Sequence, residues 1–281
     1  MKKRWLSIVT LLLAASFLVV GCGGGDADKK AADKEPAAND QKAVKLVVGA
    51  TAKPHAEILE IVKPILAKDN VELEIKEFTD YVLLNPALKD GSIDANFFQH
   101  IPYLDDYNAK ESADLVWVAK VHNEPMGVYS HKIDNLEKLE AGARIGIPND
   151  ATNGGRALMV LGKAGLLKLK EGVGVAATVN DIVENAKDFK IEMMDAAMLP
   201  RALEDLDACV INSNYALEGN LNPVKDSLFM EPKDSPFANV LVVRPADKDK
   251  PEIQKLVKAL QSDAVKNFLE ENYKGSCVPA F

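Results

Sequence analysis

The chain has 281 residues, a formal net charge of −8 and three cysteines. This length is enough for one large domain or two modest lobes after any targeting segment is removed. An acidic surface repels phosphate backbones, which excludes nucleic acid as a partner. Two cysteines besides the one near the N-terminus do not make a disulfide framework.

The N-terminus has the pattern of a secretory signal. Three basic residues, 2–4, precede an apolar run from Trp5 to Val20 that only Ser7, Thr10 and Ser16 interrupt. The run is shorter than the roughly 20 residues of a membrane-spanning helix. Loss of this segment changes the formal net charge from −8 to −11.

Cys22 follows Gly21 at the end of the apolar run, as the cysteine of a lipobox does. We therefore predict a signal peptide over residues 1–21 and a lipidated Cys22 carrying palmitate. The mature chain would be anchored on the extracytoplasmic face of the cell membrane. Residues 22–43 are predicted to be a flexible tether, because from Gly23 to Gln41 no aliphatic side chain is larger than alanine. Such a segment buries too little apolar surface to offset the entropy of ordering it.

The first half of the mature chain alternates predicted strands and helices. Ile58, Leu59 and Val62 have helical spacing, whereas Val71 and Leu73 alternate with charged residues as in a half-exposed strand. Strands are predicted at residues 45–51, 71–75, 93–97 and 115–121, and helices at 54–69, 81–88 and 102–109.

The pattern restarts after residues 126–129. Strands are predicted at 144–147, 190–194, 208–211 and 240–243, a loop at 149–155, and helices at 156–161, 199–206 and 252–273. Alternating strands and helices predict an α/β fold with largely parallel sheets. We expect two lobes, one from residues 44–126 plus 238–281 and the other from 127–237. The ligand cleft would lie between them, beyond the carboxyl ends of the strands.

Motifs typical of enzymes are absent from the sequence. It has no Gly-x-Ser-x-Gly, His-Glu-x-x-His, Cys-x-x-Cys or Gly-x-Gly-x-x-Gly motif, and its four histidines are dispersed. We predict neither an enzyme nor a cofactor, and no metal site, since no carboxylate–histidine group stands out. A metal site assembled from distant histidines stays an alternative.

Two segments combine groups that a small-molecule cleft requires. In residues 94–105, a strand end carries Phe97 and Phe98 and leads through His100 to a helix with Tyr103. One of the two phenylalanines should face the core, because neighbouring strand residues face opposite sides. In residues 148–156, two glycines at a helix start favour an anion, and Arg156 can grip a carboxylate with two parallel hydrogen bonds. A capped turn with a solvated arginine is the alternative.

These segments belong to a longer series of motifs. In chain order the series is Asp80-Tyr-Val82, Asp94-Ala-Asn96, Phe98-Gln-His100, Pro102-Tyr-Leu-Asp105, Pro148-Asn-Asp150, Thr152-Asn153, Gly155-Arg156, Leu199-Pro-Arg201, Val210-Ile-Asn212, Lys233-Asp-Ser-Pro236 and Asn239. In this series the sequence resembles the NlpA-type lipoproteins, the methionine-binding components of ABC importers. The resemblance extends over the whole mature domain.

The resemblance implies a two-lobed, periplasmic-binding-protein-like fold of type II and a protein that delivers methionine to an ABC permease and its ATPase. It implies that Arg156 holds the ligand's carboxylate and that amide oxygens accept from its ammonium group. The implied ligand-binding residues are Tyr81, Phe98, His100, Tyr103, Asn153, Arg156, Asn212 and Asn239. Open alternatives are another small amino acid, a methionine peptide or a metal as ligand, an enzyme with His100 as base, and an adhesin. The role of Glu124 and the pairing of Cys209 with Cys277 also stay open.

Overall fold

Two mixed β-sheets with flanking helices organise the part of the chain that this computed structural model describes, residues 42–281. The predicted signal peptide and Cys22 lie outside the described residues. Within residues 42–281, no helix is both long enough and apolar enough to cross a membrane.

The strands are β1 Val44–Thr51, β2 Val71–Phe78, β3 Ala95–His100, β4 Val116–Asn123, β5 Gly127–Tyr129, β6 Arg144–Pro148, β7 Lys168–Leu169, β8 Ile182–Glu184, β9 Lys190–Met194, β10 Ala208–Ile211, β11 Phe229–Met230, β12 Ala238–Val243 and β13 Val278–Pro279. The α-helices are α1 Glu57–Lys68, α2 Leu84–Lys89, α3 Ile101–Glu111, α4 Ala151–Lys163, α5 Leu199–Ala202, α6 Ser213–Glu218, α7 Pro223–Asp226, α8 Pro251–Leu260 and α9 Asp263–Tyr273.

The first sheet has the strand order β13-β4-β12-β3-β1-β2. Strand β1 is parallel to β2 and β3, whereas β12 is antiparallel to β3 and β4. In this sheet the prediction of largely parallel strands is therefore correct only for β1, β2 and β3. The late strand β12 is fully buried, and it inserts between two early strands when the chain returns to this sheet. Helices α1, α8 and α9 bury their apolar stripes in the adjoining core.

The second sheet has the order β11-β5-β10-β6-β9. Strands β6, β9 and β10 are parallel, and β5 and β11 are antiparallel to their neighbours. The chain passes between the two sheets twice, at residues 124–126 (the first crossing) and at residues 231–237 (the second crossing). Residues from both crossings therefore lie beside any site between the sheets.

The prediction of one continuous helix over residues 252–273 is wrong. The segment forms two helices, α8 and α9, because Gln261 leaves the helical conformation and Ser262 adopts an extended backbone before α9 begins. Each helix keeps its own buried stripe, which is why the apolar spacing alone suggested one long helix.

The predicted loop at residues 149–155 is also wrong, because α4 begins at Ala151. The Asp150 carboxylate caps it by accepting from the Asn153 backbone N–H at 2.9 Å. Gly155 serves close packing, since a Cβ there would lie 2.1 Å from the carbonyl oxygen of Val175. The early start places Asn153 and Arg156 three residues apart on one helix face.

The cysteines in the described residues do not pair. Cys209 and Cys277 are both free thiols, and both are buried. The interpretation of Cys209 as a small buried hydrophobic residue agrees with its place in the core beside Leu206 and Ile211.

Candidate functional site

A small cavity lies where strands of the two sheets end. Its lining contains all eight residues that the sequence analysis named as ligand-binding. The complete lining is Tyr81, Phe98, Gln99, His100, Tyr103, Glu124, Asn153, Arg156, Asn212, Ser213, Asn214 and Asn239. Their role in binding a ligand stays a prediction, but the fold brings them together from residues 81 to 239.

One wall of the cavity is aromatic. The rings of Tyr81, Phe98 and Tyr103 lie in mutual contact, with centroid distances of 5.6, 5.7 and 5.9 Å. Tyr215 backs the Tyr81 ring at 4.8 Å. Phe97 points the other way into the core of the first sheet, as predicted for one of the two neighbouring phenylalanines.

His100 connects this wall to the polar side. Its Nδ1 accepts from the Tyr103 backbone N–H at 3.2 Å and so caps α3. The proton is therefore assigned to Nε2, which donates to Asn153 Oδ1 at 3.1 Å. Burial, reinforced by the Arg156 charge, lowers the pKa of His100 to about 3. A group with so low a pKa is a weak base at neutral pH, which counts against the enzyme alternative.

The amide side chains form a linked cluster. Asn212 Nδ2 donates to Asn153 Oδ1 at 2.9 Å, and Asn153 Nδ2 donates to the Asp150 carboxylate at 3.1 Å. Asn212 Oδ1 is buried and has no hydrogen-bond partner among residues 42–281. A buried acceptor without a donor is costly, so this oxygen is suited to a ligand N–H.

Arg156 is buried, with 2% of its surface exposed. Its Nε donates to both Glu231 oxygens at 3.0 and 3.1 Å, and its Nη2 donates to Glu231 Oε2 at 2.5 Å and to the Glu124 carbonyl at 2.8 Å. The Phe237 ring centroid lies 4.1 Å from Cζ. The alternative of a solvated arginine is wrong.

The expected two-point grip of Arg156 on a ligand also needs correction. Glu231 already occupies the Nε–Nη2 edge of the guanidinium. Among the described residues, no side chain or carbonyl accepts from Nη1, so this nitrogen still has its capacity to donate. Sequence reasoning missed Glu231, because a single glutamate in residues 229–237 carries no signal of its partner 75 positions away.

Glu124 lines the cavity and is held by two histidines. Its Oε1 lies 2.7 Å from His122 Nε2 and 3.3 Å from His55 Nε2, and its Oε2 accepts from the Asn214 backbone N–H at 3.0 Å. Burial lowers the pKa of His55 to about 4. Burial raises the pKa of Glu124, but His55, the hydrogen bond from His122 and Arg156 together hold it below its ordinary value.

The same three side chains are the one group of potential metal ligands in residues 42–281, with ligand atoms within 4.8 Å of one another. The sequence analysis found no carboxylate–histidine group, because only folding brings His55 to His122 and Glu124. Hydrogen bonds within the group, and one from the Thr51 hydroxyl to His55 Nδ1 at 2.8 Å, account for its geometry without an ion. The absence of a metal site stays a prediction.

Three further lining residues lacked a clear sequence signal. Gln99 belongs to a buried amide network with Asn85 and Asn96. Ser213 and Asn214 follow Asn212 at the start of α6, and their position directly after strand β10 could have identified them.

The family model described as NlpA lipoprotein matches residues 46–281. The chain is 42% identical over 280 residues to the "Probable D-methionine-binding lipoprotein MetQ" of Vibrio cholerae serotype O1, covering 99% of each chain.

Solved structures of binding proteins are also similar to this chain. A nutrient binding protein from Burkholderia cenocepacia bound to methionine is 45% identical, with a TM-score of 0.82 over 84% of this chain and 100% of the other. An ABC transporter periplasmic substrate-binding protein from Coxiella burnetii is 41% identical, with a TM-score of 0.80 over 84% of this chain and 100% of the other.

Proposed function

Because the chain belongs to the NlpA lipoprotein family, we propose that it is a solute-binding protein that captures methionine for an ABC importer. The observation that carries the proposal is the cavity, which places three aromatic rings opposite an arginine and a group of amides. The relatives are named as binding proteins, which agrees with the prediction that the chain is not an enzyme.

The aromatic wall suits a thioether. Tyr81, Phe98 and Tyr103 line the cavity, and their rings contact one another. A sulfur atom against an aromatic ring gains roughly 0.3–1.5 kcal/mol per contact. Methionine would therefore bind better than a polar side chain of equal length.

The opposite side suits the charged end of an amino acid. Arg156 Nη1 would donate to the carboxylate. The ammonium group would donate to Asn212 Oδ1, Asn239 Oδ1 and the Glu124 carboxylate. Glu231 already balances the charge of Arg156, so Glu124 is the buried anion that a ligand ammonium would offset.

The proposed lobes, residues 44–126 plus 238–281 and residues 127–237, would close over the ligand. Several hydrogen bonds link them in this structure, and two of these join side chains that line the cavity. Tyr81 Oη donates to Asn214 Oδ1 at 2.5 Å, and His100 Nε2 donates to Asn153 Oδ1 at 3.1 Å. Both pairs line the cavity, so closure and ligand enclosure would be one event.

Membrane attachment is the second part of the proposal. The family is one of lipoproteins, and Cys22 has the sequence context of a lipidation site. Anchored there on the extracytoplasmic face, with residues 22–43 as tether, the binding domain would stay at high local concentration beside its permease and ATPase.

Native mass spectrometry of the purified protein tests the ligand assignment. We expect a bound mass equal to methionine, or a shift to that complex when L-methionine is added. Calorimetry with L-methionine, D-methionine, a methionine dipeptide and norleucine would then rank the alternatives. Failure of every methionine compound to bind would refute the proposal.

A further inference from the structure

Hydrogen bonds hold Arg156 at the place where the first and second crossings contact each other. Glu231 begins the second crossing, and its backbone N–H donates to the Met126 carbonyl of the first crossing at 2.9 Å. The Glu231 carboxylate returns the contact by accepting from the Met126 N–H at 3.0 Å. The two crossings are thus joined at Met126 and Glu231.

The guanidinium of Arg156 completes this junction. It donates to the side chain of Glu231 and to the backbone carbonyl of Glu124, so it contacts both crossings at once. Phe237, also in the second crossing, covers its face at 4.1 Å. Three contacts from different directions fix the plane of the guanidinium, and Nη1 is its one nitrogen without an acceptor among the described residues.

We propose that Glu231 is a positioning residue for the ligand's carboxylate. It holds Arg156 so that Nη1 meets the carboxylate, and it ties that contact to both crossings. The inference rests on the proposed function, since it takes the ligand to be an amino acid held by Arg156. Glu231 itself does not line the cavity and does not contact the ligand.

The charge of Glu231 predicts that its removal weakens binding of the ligand's carboxylate. Without the Glu231 carboxylate, Arg156 would be a buried cation lacking its partner, a costly arrangement. The nearest other buried carboxylate of the cavity is Glu124, which already feels the Arg156 charge. Arg156 would turn toward Glu124, and the ligand would lose its carboxylate donor.

The test compares two ligands in several variants. Methionine has the carboxylate, and methioninol carries a hydroxymethyl group in its place. Calorimetry should show that Glu231→Gln weakens methionine binding at least about tenfold and methioninol binding less than about threefold. Glu231→Asp keeps the carboxylate charge. Its methionine affinity should therefore lie between that of Glu231→Gln and that of the wild type.

A matched control is available on the surface. Arg144 and Glu192 form the same two-point pair, at 2.5 and 3.0 Å, but on an exposed edge of the second sheet. Glu192→Gln should leave the affinity for both ligands unchanged. Thermal unfolding of each ligand-free variant checks that it is folded, and Glu231→Asp carries the test if Glu231→Gln does not fold.

Two outcomes would overturn the inference. Equal losses for methionine and methioninol would make Glu231 a structural residue only. Unchanged or tighter methionine binding in Glu231→Gln would mean that Arg156 needs no positioning. Wild-type protein that binds neither ligand would instead refute the proposed function.

Discussion

The hydroxyl of Tyr81 donates to Asn214 Oδ1 at 2.5 Å and so links the segment after β2 to the start of α6. The two residues are 133 positions apart, and both line the cavity. Burial raises the pKa of Tyr81 well above its ordinary value, so the hydroxyl stays protonated and remains a donor. This bond closes the cavity on the side of its aromatic wall.

Tyr81→Phe keeps the ring and removes this bond. We expect methionine affinity to fall about 2- to 13-fold, the range for one buried hydrogen bond of 0.5–1.5 kcal/mol. Calorimetry measures the affinity, and small-angle scattering with ligand reports closure. Tyr107→Phe, on α3 outside the cavity, is the control and should bind methionine with wild-type affinity. An unaltered methionine affinity in Tyr81→Phe would exclude a role of this hydrogen bond in closure.

Arg156→Ala should abolish most methionine binding. The ligand carboxylate would enter the cavity without a cationic partner, which costs roughly 3–5 kcal/mol, or more than about a hundredfold in Kd. Arg156→Lys keeps the charge but loses the fork, and should recover only part of the affinity. Calorimetry measures the methionine affinity of each variant, and Arg144→Ala is the surface control. Wild-type affinity in Arg156→Ala would refute its assignment to the carboxylate.

Gly155→Ala should disturb α4 and the site that it carries. The added Cβ would lie 2.1 Å from the Val175 carbonyl, so either α4 or residues 174–176 must shift. We expect a loss of about 1–3 kcal/mol or more in the free energy of unfolding, together with weaker methionine binding.

Gly162→Ala is the matched control in the same helix. There the nearest atom, the Leu167 carbonyl oxygen, lies 3.8 Å from the Cβ position. Alanine favours helices over glycine by up to about 1 kcal/mol, so this variant should be neutral or more stable. Urea unfolding compares the two, and equal stabilities would contradict the packing role of Gly155.

His55 should make folding stability depend on pH. Its folded pKa is lowered to about 4 by burial, so between that value and about 6.5 the unfolded chain binds more protons. Stability from this group is therefore complete above about pH 6.5 and is lost as the pH falls toward 4. Between pH 7 and 5 the loss is roughly 2 kcal/mol.

Glu218 acts in the opposite direction, because burial raises its pKa to about 7. The measurement is therefore the difference between wild type and His55→Asn in urea unfolding at pH 7 and pH 5. The variant should lose less stability on acidification. The exposed His131→Asn is the control and should behave as wild type; parallel pH profiles for His55→Asn and wild type would contradict the prediction.

Local patterns predicted most of the elements but not their limits. Alternation, apolar runs and helical spacing located β1, β2, β6, β9 and α1 to within a few residues, because the spacing of apolar side chains follows the local backbone geometry. The start of α4 was placed too late, since glycines that usually mark a turn here serve close packing. The break between α8 and α9 was missed, since both helices have the same apolar spacing.

The sequence by itself, through its resemblance to a known family, determined most of the side chains that line the cavity. Spaced motifs from Tyr81 to Asn239 named eight residues, and all eight line it. The resemblance to a known family selected them, and their places at strand ends and helix starts agree with that selection.

Only the tertiary structure decided how the charged groups pair. Glu231 occupies the edge of Arg156 that seemed free for a ligand, and His55 and His122 hold Glu124. These partners are up to 75 positions apart, and buried charges pair with whatever opposite or polar group the packing of two sheets brings within about 3 Å. No local pattern in the sequence encodes that distance.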